Sequence, residues 1–78
     1  MEKRFVSLYT AEADAVFRYC LIRTSSREVA LDISQDAFMR FWDALMRQTS
    51  ISNDKAFLFK ITRNLIIDWY RKKKSISL

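Results

Sequence analysis

The sequence predicts an all-α fold: a small bundle of three main helices, the first with room for a break. Three observations predict it. The 78 residues include no Gly and no Pro, where average usage would supply about 5 and about 4. Half of the residues are hydrophobic, and they recur at three- and four-residue spacing along three stretches, the period of a helix face. Only two short polar runs, at residues 24–26 and 48–53, interrupt that period. A chain of this length is one domain, residues 1–78. It buries only about 60% of its unfolded surface, so its stability is modest, and its wealth of apolar residues leaves some for a partner.

The first helix spans about residues 2 to 23, with Phe5, Leu8, Tyr9, Val16, Phe17, Cys20 and Leu21 on its apolar side. Ser25, followed three residues later by Glu28, has the capping-box pattern and marks a second helix over about residues 27 to 47. There Ala30, Ile33, Ala37, Phe41 and Leu45 form one stripe. Val29, Phe38, Trp42 and Met46 widen it, and Leu31 and Met39 lie further round. That arc is broader than one core face requires, so part of it meets a second neighbour or a partner. Residues 48–53 make a polar loop. Asn53 or Ser52 caps the third helix, and Asp54 suits its positive dipole end. This helix runs to about residues 71–74, with Leu58, Ile61, Leu65 and Trp69 as its core stripe. Residues 75–78 read as the start of a linker or a cut in a longer protein.

Composition excludes several classes of function. Without Gly there is no phosphate-cradling loop and no dinucleotide fingerprint. Without His there is no His/Cys zinc site and no His-based acid–base catalysis. Cys20 is the single cysteine, so no disulfide forms within the chain; on the apolar side of its helix it reads as a buried thiol. No apolar run approaches the ~18–20 residues of a membrane span, and the acidic, broken N-terminus is no signal peptide. A reducing cytoplasm fits. No nucleophile–base pair is visible, so the chain reads as a binder rather than an enzyme, with no cofactor.

Charge is distributed unevenly. Residues 1–54 carry 7 Lys/Arg against 8 Asp/Glu, and residues 55–78 carry 7 against 1. The formal charge of +5 therefore belongs to the last third. There Lys60, Arg63, Tyr70, Arg71 and Lys74 fall mainly off the core stripe, interleaved with Phe57, Phe59 and Trp69. Such a segment suits a partner with phosphates and flat, stackable rings; the bland alternative is a solvated cationic face. Asn64 is a poor residue for a helix interior, and its amide can read base edges or tie down a neighbouring loop. Asp68, the one acid of the segment, reads as structural, paired with Arg40 or Arg63, or as a plain exposed acid. On the second helix Asp32, Gln35, Asp36 and Met39 share one side. By pattern alone that side is a solvated face.

Two stretches carry a family resemblance. Residues 30–42 (ALDISQDAFMRFW) resemble the acidic, Gln-containing helix of the extracytoplasmic-function sigma factors of bacterial RNA polymerase. Residues 57–73 (FLFKITRNLIIDWYRKK) resemble that family's helix for promoter melting and −10 reading. The likeness covers about residues 16–74 and matches the family's second conserved region. Asp32, Gln35, Asp36, Phe38, Arg40 and Trp42 fall in register, as do Leu58, Ile61, Arg63, Asn64 and Asp68. Leu31 departs from the usual acid, Ser34 from an aliphatic and Phe57 from Trp.

The resemblance implies a role in transcription initiation. Asp32, Gln35, Asp36 and Met39 would dock on the clamp helices of the polymerase's largest subunit. Lys60, Arg63, Asn64, Tyr70, Arg71 and Lys74, with Ser50, Ser52 and Asn53 of the loop, would hold the non-template strand of the −10 element. An anti-sigma factor is an expected partner and a membrane is not. Members normally carry a helix-turn-helix domain after a linker. The alternative reading is a helical interaction or regulatory module, bound by an anti-sigma factor, with no DNA role of its own. A basic helix lying on an acidic membrane is a third, disfavoured by the polar loops and the Trp/Phe core.

Overall fold

A computed structural model describes residues 2–76, with side chains as far as Lys73. Three helices follow one another: α1 (Glu2–Thr24), α2 (Arg27–Met46) and α3 (Asp54–Ile76). Each packs on the other two. The helix over α1 is unbroken, so the room left for a break goes unused. The middle of α1 is Ala-rich and holds no Gly or Pro, so nothing in it opposes helix. Ser75 and Ile76, read from sequence as the start of a linker, lie inside α3, and residues 77–78 of that stretch lie outside the described residues. Among the described residues no helix is long and apolar enough to cross a membrane.

The helix ends show how a chain without Gly turns corners. Ser25 takes a left-handed φ of 56°, and its N–H donates to the Leu21 carbonyl at 2.8 Å. It thereby closes α1 in the position Gly usually fills. The cap of α2 falls to the next residue. Ser26 Oγ accepts from the Val29 N–H at 3.2 Å. The capping residue is therefore Ser26, not Ser25, because Ser25 is occupied in ending the helix before. At the other end of α2, Gln48 also has φ 56°. Gln48 N donates to Leu45 O and Thr49 N to Ala44 O, each at 3.0 Å, the paired bonds of a Schellman motif. Asn53 Oδ1 then accepts from the Ala56 N–H at 2.9 Å and starts α3.

The core is centred on Phe41, which is fully buried. Ala30, Ile33, Ala37 and Leu45 of the α2 stripe are buried beside it, as is Phe38. Val16 and Cys20 come from α1, and Leu58 and Ile66 from α3. Burial pushes the Cys20 thiol up to about 11, so it stays protonated and unreactive. On α3 the buried line is Leu58, Thr62 and Ile66, with Ile61, Leu65 and Trp69 half-buried at its side. Thr62 enters the core because its hydroxyl donates to the Leu58 carbonyl at 2.9 Å and leaves only its methyl to pack. Ser34 is buried in the same way, its hydroxyl donating to Leu31 O at 3.0 Å.

Candidate nucleic-acid and partner interfaces

The outer face of α3 is built by spacing. Lys60, Arg63, Asn64, Ile67 and Arg71 recur at three- and four-residue intervals opposite the buried Leu58, Thr62 and Ile66, and all five are exposed. Among the described residues, none of these cations has a carboxylate within ion-pair distance; the ion pairs present involve Arg4, Arg40, Arg47 and Lys55. The face therefore presents unneutralised charge. Lys73 lies 5.0 Å from the centroid of the Trp69 ring. The side chain of Lys74 lies outside the described residues.

The aromatic residues of α3 divide by position. Phe57 and Phe59 are half-buried, with Phe57 6.2 Å from Phe41 and Phe59 edge-on to Tyr19 at 5.5 Å. Tyr70 is 44% exposed, but its hydroxyl donates to the backbone carbonyl of Arg23 at the end of α1. Of the aromatic rings on this helix, Tyr70 is thus the most exposed among the described residues.

Loop residues Ser50 and Ser52 are exposed, and neither hydroxyl is engaged among the described residues. Asn53 differs, because its amide oxygen is committed to the cap. Asn64 and Asp68 sit on the α2 side of α3, lining a cleft of about 320 Å³ with Arg40, Asp43 and an apolar floor that includes Phe57 and Leu65. The expected ion pair of Asp68 is not formed. Arg40 turns instead to Asp36, one turn earlier on its own helix, at 3.2 Å.

The side of α2 carrying Asp32, Gln35, Asp36 and Met39 points away from the core. Met39 is 70% exposed. Gln35 and Met39 form one wall of an open groove of about 740 Å³ with Phe38 and Trp42. The other wall is the start of α1: Phe5, Val6 and Tyr9. Sequence reasoning placed Phe5 and Tyr9 on the apolar side of α1 but missed Val6 and the groove itself, for which the over-wide apolar arc of α2 was the signal.

The base of the bundle is tied by charge. Arg4 forks onto Asp54, with Nε 2.8 Å from Oδ2 and Nη2 2.5 Å from Oδ1. This hydrogen-bonded pair holds the Asp54 carboxyl below its ordinary value and raises the Arg4 guanidinium. It fixes the first turn of α3, and hence the end of the loop, against α1.

Comparison with known proteins identifies the family. The family model for sigma-70 region 2 matches residues 8–76. The chain is 33% identical over 67 residues to the ECF RNA polymerase sigma factor SigM of Bacillus subtilis, covering 86% of this chain and 40% of that protein. It is 25% identical over 76 residues to SigX, an ECF RNA polymerase sigma factor of the same organism, covering 97% of this chain and 39% of that protein. To the RNA polymerase sigma factor YlaC it is 29% identical over 65 residues, 83% of this chain and 38% of that protein. The chain thus spans about two-fifths of the length of these relatives. No solved structure gives a significant match. With 69 consecutive residues, 8 to 76, matched to one non-enzymatic domain family, the chain belongs to the sigma-70 region 2 family of sigma factors.

Proposed function

We propose that this domain acts in transcription initiation by docking on the RNA polymerase core through α2 and capturing the non-template strand of the −10 element through α3 and the loop before it. The observation that carries the reading is the outer face of α3. It gathers Lys60, Arg63 and Arg71 without carboxylate partners among the described residues and sets Asn64 beside them. Phosphates of a separated strand would meet the cations, and an unstacked base would meet the Tyr70 ring. The loop hydroxyls of Ser50 and Ser52 and the amide of Asn64 would give base preference. Such contacts exist only with an open strand, so binding them favours opening without any chemical step.

The α2 side supplies the second attachment. Asp32 and Asp36 would face basic residues on the clamp helices of the largest subunit, with Gln35 and Met39 as contacts at the groove edge. The same surface is where an anti-sigma factor would compete. The compartment that goes with this role is the cytoplasm. The test is a permanganate footprint of promoter opening by reconstituted holoenzyme. The Arg63→Ala/Arg71→Ala variant should lose opening at full polymerase occupancy, and Asn64→Ala should narrow the preference for −10-like over scrambled DNA. Normal opening by the double variant would refute the role of this face.

A further inference from the structure

The seam between the end of α1 and the outer half of α3 carries a second aromatic and cationic element. The Tyr70 hydroxyl donates to the Arg23 carbonyl, one of the groups that a helix end leaves unpaired. The Arg23 guanidinium lies 3.5 Å from the centroid of the Tyr19 ring, and its Nη1 donates to the Tyr19 carbonyl at 3.2 Å. Tyr19 in turn meets Phe59 edge-on. Among the described residues Arg23 has no carboxylate within ion-pair distance. Helical spacing places Phe59, Arg63 and Tyr70 along one edge of α3. The contacts of Phe59 and Tyr70 with α1 therefore bracket Arg63 and bring Arg23 to the same edge.

An arginine held this way is prepared for a phosphate. Stacking on Tyr19 fixes the guanidinium plane, one N–H is used, and the others remain for an oxyanion. Less side-chain freedom is then lost on binding. We propose that Arg23 is a phosphate contact for the captured strand, extending the α3 face onto α1, and that Tyr70 is its positioning residue. This rests on the nucleic-acid reading above.

The test uses the full-length protein assembled with polymerase core and a fluorescent single-stranded oligonucleotide carrying a −10-like sequence. Arg23→Ala and Arg23→Gln should each flatten the slope of log K against log salt by about 0.7, as loss of one single-strand phosphate contact does. Tyr70→Phe should weaken binding about threefold to tenfold, the worth of one hydrogen bond. In the Arg23→Ala background it should change nothing further. If both Arg23 variants keep the parental slope while Arg63→Ala flattens it, this inference fails and the nucleic-acid reading stands. If Arg63→Ala also leaves the slope unchanged, that reading fails with it. An equal loss from Tyr70→Phe in both backgrounds would remove the positioning role.

Discussion

At the scale of single residues, the chain uses side chains where other proteins use glycine. Ser25 and Gln48 both hold left-handed backbone, at φ 56°, a region that disfavours residues with a Cβ by roughly 1–2 kcal/mol. Gln48→Gly should therefore raise stability by about 1 kcal/mol, partly offset by the greater freedom of Gly in the unfolded chain. For a domain of this size that is a rise in Tm of about 4–8 °C, read in a thermal melt by circular dichroism. Asn53 shows the opposite sensitivity. Its amide oxygen caps α3, so Asn53→Ala should lose about 1 kcal/mol while Asn53→Asp retains the cap. Any effect of Asn53→Ala on DNA must be read against that loss. Asp54 adds a pH dependence. Its carboxyl is held below the ordinary 3.8 by the Arg4 hydrogen bond. A depressed carboxylate contributes stability above its unfolded value, and that contribution disappears as pH falls below about 3.8. Acid titration of the melting temperature should show a shallower fall for Asp54→Asn than for the parent over that window. Parallel curves would mean that the solvent-exposed pair contributes nothing measurable.

Among the elements, α2 organises the fold and α3 divides its labour. Phe41 is fully buried at the centre of α2, so Phe41→Ala should remove about 3–5 kcal/mol, enough to abolish the cooperative melt of so small a domain. Trp69 is only half-buried, so Trp69→Ala should lower the melting temperature less than Phe41→Ala in the same assay. The α2 stripe was legible from spacing alone: Ala30, Ile33, Ala37, Phe41 and Leu45 are all buried. On α3 the stripe was legible in direction but not in depth. Thr62 and Ile66 lie deeper than Ile61 and Leu65, because burial of Thr62 needs a hydrogen bond to the turn before it, which periodicity does not encode. The links between elements were not legible. Arg4 reaches Asp54 across 50 residues, and Tyr70 reaches Arg23 across 47. Only the packed geometry of three helices brings such pairs together. The exposure of Lys60, Arg63 and Arg71 was legible because it follows from the same period that buries the core. The groove itself was missed because its second wall belongs to a neighbouring helix.

Across the whole molecule, two faces of different chemistry sit on one three-helix bundle of 43 × 22 × 16 Å. The α2 side is acidic and apolar, while the α3 face is cationic and free of carboxylate partners among the described residues. They are carried on separate helices and approach each other at the cleft that Arg40 and Asp43 share with Asn64 and Asp68, so a lesion at Asp32 should not deform the face around Arg63 and Arg71. Asp32→Lys and Asp36→Lys replace exposed or half-exposed groups, and the Arg40 partner of Asp36 is a surface pair of small worth. Each should leave stability within about 0.5 kcal/mol of the parent. In the proposed role each should weaken capture by polymerase core in a pull-down, yet leave promoter opening per bound complex unchanged in the permanganate footprint. Arg63→Ala/Arg71→Ala should do the reverse. Combining Asp32→Lys with the α3 variant should then give the product of the separate losses, since distant sites without shared partners add in free energy within about 0.3–0.5 kcal/mol. A combined loss no larger than the greater single one would mean that one surface serves both partners, and the division of work between α2 and α3 would have to be abandoned.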